Sequence, residues 1–99
     1  MVDPATIADP QFAVVRVLHN DGDFSITFGR WEGTPCCGVR WNGEPGRLGY
    51  PVGRHRQPKF LVIPDTLTMP MLGMLAAAAL NGTNMDAVAA TMAELHPMR

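Results

Sequence analysis

Residues 24–31 read FSITFGRW, and the fold turns on whether this stretch is a strand. Phe24, Ile26 and Phe28 alternate with Ser25, Thr27 and Gly29. A period of two puts three large apolar groups on one face and three small ones on the other. The aromatic and β-branched content suits a pleated surface. Ahead of it, residues 20–23 (NDGD) supply a hairpin turn, because glycine after aspartate accepts the positive φ that tight hairpins require. Residues 12–19 (FAVVRVLH) then form the preceding strand, apolar on both alternating faces and so expected to be covered on two sides. On the far side, residues 32–35 (EGTP) read as a second turn. Residues 36–42 (CCGVRWN) follow as a third strand, with Cys37, Val39 and Trp41 on one face and Arg40 on the other.

Past Asn42, glycine or proline recurs at Gly43, Pro45, Gly46, Gly49, Pro51, Gly53 and Pro58. No regular element survives that density, so residues 43–58 are expected to be a long basic loop with at most a short extended piece near Tyr50. Residues 59–63 (KFLVI) form a fourth, core strand. The period then changes. Thr68 is placed to cap a helix with Pro70 in its first turn, the run MPMLGMLAAAAL follows, and Asn81-Gly82 stops it. A second helix starts with Thr83 or Asn84 as cap, carries the stripe Met85, Val88, Met92 and Leu95, and ends at His96-Pro97. Strands followed by helices argue for α+β: an antiparallel sheet of about four strands with two C-terminal helices packed on one face. The chain is read as one domain over residues 1–99, with residues 1–10 as an N-terminal extension.

Ninety-nine residues, 46% hydrophobic and 17% charged, suffice for a single core. A net charge of −1 excludes a globally basic nucleic-acid binder but conceals an asymmetry. Residues 1–29 hold four acids and one base (−3), residues 30–60 six bases and two acids (+4), and residues 61–99 three acids and one base (−2). Cys36 and Cys37 are adjacent, which rules out a disulfide framework and leaves no zinc-ligand spacing. The acidic N-terminus lacks a signal-peptide layout, and the longest apolar run, 12 residues, falls short of the ~20 that span a bilayer. The expectation is a soluble, cytoplasmic chain without metal or cofactor.

No catalytic motif is present. His19 beside Asp21 and Asp23 could form a general-base pair, but hairpin ends collect such residues for turn chemistry alone. His55 and His96 sit in no motif, and Cys36 or Cys37 lacks a neighbouring histidine. Gly43, Gly46 and Gly49 match no phosphate-binding fingerprint. The basic segment is more informative. Arg47, Arg54, Arg56 and Lys59 against Glu44 give residues 43–59 a charge of +3, with His55 in reserve and Trp41 and Tyr50 nearby. Cations interleaved with aromatics serve nucleic acid through phosphate neutralisation and stacking, and equally serve an acidic protein surface; plain solvation of the loop is the alternative. Finally, residues 69–80 carry no polar side chain. Such a helix is either central to the core or offers Met69, Met71 and Met74 as a homodimer or partner face.

The segments Arg40-Trp41-Asn42-Gly43, Gly49-Tyr50-Pro51, Pro58-Lys59-Phe60 and Val62-Ile63-Pro64-Asp65 with Leu67 form a layout that resembles small accessory proteins of proteobacterial plasmids, integrative elements and prophages. The resemblance spans roughly residues 24–75 and transfers no functional residue. Cargo of that kind includes anti-defence proteins, among them anti-CRISPR inhibitors, which are non-enzymatic and act by binding an effector. The resemblance therefore implies a protein-binding module that acts by occluding a partner, and the basic loop adds the expectation that this partner bears an acidic patch. Direct nucleic-acid binding through residues 47–59 stands as the alternative.

Overall fold

The computed structural model describes residues 2–96. Three strands run as a meander, β1 (Phe12–Asn20), β2 (Phe24–Trp31) and β3 (Thr34–Trp41), and the short β4 (Leu61–Val62) completes an antiparallel sheet in the order β1-β2-β3-β4. Two helices follow, α1 (Thr68–Ala78) and α2 (Met85–Leu95), giving the α+β architecture read from the sequence. Both helices pack on the face that carries Ile26 and Phe28. Leu72 and Leu75 of α1, with Val88 and Leu95 of α2, meet these two, Leu18 and Cys37 in the main core. Arg16 ties α2 to β1: its guanidinium lies 5.7 Å from the Phe28 ring and donates to Thr91 Oγ1 and Glu94 Oε1, both at 3.0 Å.

The run of apolar residues on both alternations of β1 has a specific cause. The register pairs Val14 with Gly29 but Arg16 with Phe28, so one extra residue is inserted at Val15, and a second shift follows between Val17 and His19. Such a bulge reverses which face each following side chain occupies. Phe12 therefore joins Cys36 and Phe60 in a second, smaller core on the opposite face, while Leu18 enters the main one. The Phe12 and Phe60 rings lie 5.1 Å apart over Gly29 and Gly38, where any side chain would intrude. A Cβ on Gly38 would stand 2.9 Å from the Phe12 ring and 3.0 Å from Phe60 Cβ. The N-terminal extension closes this second face, with Pro4 and Asp9 both buried.

Element ends differ from expectation in several places, beginning with β3, which starts at Thr34 inside the stretch read as a turn and ends at Trp41. The fourth strand covers Leu61–Val62 rather than residues 59–63, and Leu61 faces solvent, because Phe60 has turned inward to Asp9 and Phe12. Thr68 does not cap α1: a 3-10 turn, Asp65–Leu67, leads into the helix, and Thr68 itself is buried. Ala79 terminates α1 in the left-handed region (φ 45), and Gly82 serves the approach to β1 instead, its carbonyl accepting from Asn20 N at 3.0 Å. In α2, capped by Asn84, the inward side is Val88, Thr91 and Leu95, and Met85 lies outside it. The expected stop at Pro97 falls outside the described residues.

Two measurements probe this packing. Gly38→Ala should cost about 1–3 kcal/mol in urea denaturation, because the Phe12 seat has no room for a methyl group. Burial pushes the Cys37 thiol from its ordinary 9.0 up to about 12. The folded state thus holds a proton that the unfolded chain releases above pH 9. Stability from this group is complete below that pH and lost as pH rises toward 12. Cys37→Ala should flatten the alkaline limb of the stability curve relative to wild type.

Candidate partner-binding surface

Alternation along β3 sends Arg40 to the face opposite Cys37 and Val39, and there it is only 1% exposed. A buried guanidinium must find acceptors. Arg40 Nη1 donates to Lys59 O at 2.6 Å and Pro51 O at 3.3 Å, and Nη2 donates to Leu48 O. One side chain therefore fixes three points of the segment between β3 and β4. Burial draws its pKa down from the ordinary arginine value, yet the group remains a cation. Asn42 secures the start of the segment: its Oδ1 accepts from Ser25 Oγ, and its Nδ2 donates to Asn20 Oδ1 at 3.0 Å and Gly22 O at 3.2 Å.

With these anchors the glycine-proline stretch is not shapeless. Trp41 and Tyr50 exchange backbone hydrogen bonds of 2.8 and 3.0 Å, and Val52 pairs with Pro58. Gly53 N donates to Gln57 O at 2.8 Å, which closes a small hairpin whose tip is Arg54–Arg56. All three tip residues are exposed, and His55 (φ 57) and Arg56 (φ 59) hold left-handed backbone that side chains rarely adopt. Arg47 and Arg56 line a shallow concavity of about 660 Å³ built on the backbone of residues 43–49. Arg47 also stands 4.0 Å from Glu44.

Beside this basic region lies an aromatic corner. The helices leave one end of the sheet uncovered, and there Trp41 (56% exposed), Tyr50 (65%) and Leu61 (54%) surround a dimple of about 70 Å³ with Phe24, Val39 and Pro51. Phe24 meets the Trp41 ring edge-on at 5.0 Å and supports it. Trp41 and Tyr50, singled out from the sequence, are thus brought together. Leu61 was hidden because its stretch reads as core strand.

Other expected site residues do not belong. Lys59 is part of the scaffold: its ammonium lies 3.7 Å from the buried Asp9 carboxylate, and its carbonyl serves Arg40. Met69 and Met71 are half-buried and packed against the main core, and Met74 is exposed. His19 is buried, with Nδ1 2.8 Å from Thr83 Oγ1 and Nε2 3.3 Å from Asp21 Oδ2. Backbone N–H groups of Phe24 and Asp23, then His19, hold the Asp21 carboxyl below its ordinary value. The trio fastens residues 82–84 to β1 and lines none of the concavities described. Cys36 and Cys37 are buried and their thiols are pushed up by desolvation, the reverse of nucleophile activation. Among the described residues no cluster of ligating groups could hold a metal ion, and no helix is long and apolar enough to cross a membrane.

Replacing Arg40 by methionine keeps the length and removes the donors. The carbonyls of Leu48, Pro51 and Lys59 then lose their partner, and the expected loss is roughly 3 kcal/mol or more. Amide exchange over residues 48–60 should rise while α1 and α2 stay protected. A uniform rise across the molecule would show that Arg40 supports the whole fold rather than the loop.

No family model matches this sequence, and no curated protein and no solved structure does so either.

Proposed function

We propose that this chain is a small non-enzymatic protein-binding module that occludes an acidic surface of a partner. The observation that carries the reading is the Arg54-His55-Arg56 tip, held out by a loop pinned to the buried Arg40, with the Trp41–Tyr50–Leu61 dimple alongside. An apolar anchor seated in a pocket and ringed by polar groups is the anatomy of an energetic hot spot. Arginine at the rim adds bidentate recognition of carboxylates and faster encounter with an acidic face. A loop already fixed in shape loses little further freedom on binding. Joined to the resemblance to mobile-element cargo, the sharpest form is an anti-defence inhibitor of the anti-CRISPR type, which blocks an effector stoichiometrically. Met74, exposed on α1, is available to a second copy but plays no part in this reading.

A second reading, nucleic-acid binding, draws on one specific observation: Arg47 and Arg56 share a concavity with the backbone of Gly43, Gly46 and Gly49. A net charge of −1 weighs against it, since affinity for a polyanion grows with the number of phosphates neutralised.

The test is capture from host lysate with and without nuclease, followed by titration of the purified pair. Reversing Arg54 and Arg56 to glutamate should weaken binding by about a hundredfold at unchanged melting temperature, and Trp41→Ala by about thirtyfold. Undiminished binding by both variants would remove this surface from consideration. Capture that vanishes with nuclease and falls steeply with salt would move the assignment to nucleic acid.

A further inference from the structure

The opposite end of β3 carries a second concave surface, with chemistry of the other sign. β4 pairs only with Gly38 and Val39, and Pro35 has no N–H to offer a longer partner strand. Ile63 N still donates to Cys37 O at 2.9 Å, and beyond it the chain veers away at Pro64. Between it and the β2–β3 turn an open groove of about 550 Å³ remains, with Cys36, Trp31, Val62, Ile63, Pro64 and Asp65 on its walls. From Thr34 to Trp41, β3 extends roughly 23 Å, so this groove and the aromatic corner are separate surfaces.

Its walls select for one kind of group. Trp31 presents a partly exposed indole, and Val62, Ile63 and Pro64 form an aliphatic side. Among these walls only Asp65 is charged at neutral pH, since the Cys36 thiol is buried and stays protonated. Among the described residues no cation pairs with Asp65: Arg30, next in sequence to Trp31, projects to the helix face and reaches Glu94 at 3.8 Å, and Lys59 is engaged by Asp9. Glu32, following Trp31 in the turn, adds negative charge. An anion is repelled here, and a neutral apolar group would leave the carboxylate without a complement. A flat cation satisfies both walls: a guanidinium stacks on indole and donates two parallel hydrogen bonds to a carboxylate, while its stem lies on aliphatic surface.

We propose that the groove between Trp31 and Asp65 is a binding site for an arginine side chain of a partner peptide. It is independent of the basic tip, and either surface can fail its test without the other.

The experiment is a titration of 15N-labelled protein with the peptide acetyl-Gly-Arg-Gly-amide, alongside versions in which citrulline or lysine replaces arginine. Saturable shifts at the Trp31 indole N–H and the Val62 and Ile63 amides are expected. Asp65→Asn, which preserves side-chain shape, should weaken binding by about tenfold, and the neutral citrulline peptide should bind at least that much more weakly. Equal binding of arginine and citrulline peptides, indifference to Asp65→Asn, or shifts centred elsewhere would overturn the proposal. Equal binding of the lysine peptide would overturn the guanidinium assignment in favour of a general cation site.

Discussion

A guanidinium with no carboxylate beside it among the described residues organises one whole side of this molecule. Arg40 lies in the middle of the sheet, 1% exposed, and its charge is met by three backbone carbonyls from a single following segment. Desolvating such an ion costs several kcal/mol, and hydrogen bonds to a charged group return about 1.5–3 kcal/mol each. The two sums are of similar size, so forming the arrangement gains little, whereas removing the guanidinium is costly because it strands three carbonyls. Its effect is on specificity of shape, because only one course of residues 48–59 supplies all three acceptors. Arg40 Nε remains buried without an acceptor among the described residues.

The two faces of the sheet are built by different means. On one, Ile26, Phe28 and Cys37 are covered by helices in the ordinary aliphatic way. Each helix has 11 residues and so spans about 15 Å, whereas the eight-residue strands extend about 23 Å. Two such helices leave one end of the face bare, and there Trp41 and Leu61 remain in solvent. On the other face Gly29 and Gly38 make a flat bed for the Phe12 ring, and the bulge at Val15 lets β1 place that ring there while sending Leu18 to the helix side.

Charge follows the same geometry. Positive groups emerge from the loop that departs at the Trp41 end of β3, and Asp65 marks the groove at the Thr34 end. A net charge of −1 is therefore the sum of two local excesses rather than a neutral surface. Arg40-Trp41-Asn42-Gly43, Tyr50-Pro51 and Lys59 meet around one guanidinium, and Arg54, His55 and Arg56 project from that scaffold.

Much of the architecture was legible from the chain alone, because strand alternation, the NDGD turn and the Asn84 cap are local effects written within a few residues. FSITFGRW could be little else than a strand with one apolar face. The basic tip and the aromatic pair could likewise be named, since composition reports which groups exist. What required the tertiary structure were relations between distant residues. Lys59 looked like a free cation until Asp9, fifty residues earlier in the chain, was brought to it. Met69 and Met71 read as a partner face, yet both are half-buried against the main core, and Leu61 looked buried until the helices proved too short to cover it. Arg40 is the clearest case. The sequence by itself determined that an arginine would point away from Cys37 and Val39. Only the packed structure decided what lay there, because an acceptor is defined by position in space, and the carbonyls that serve Arg40 belong to a loop with no local preference for any one path.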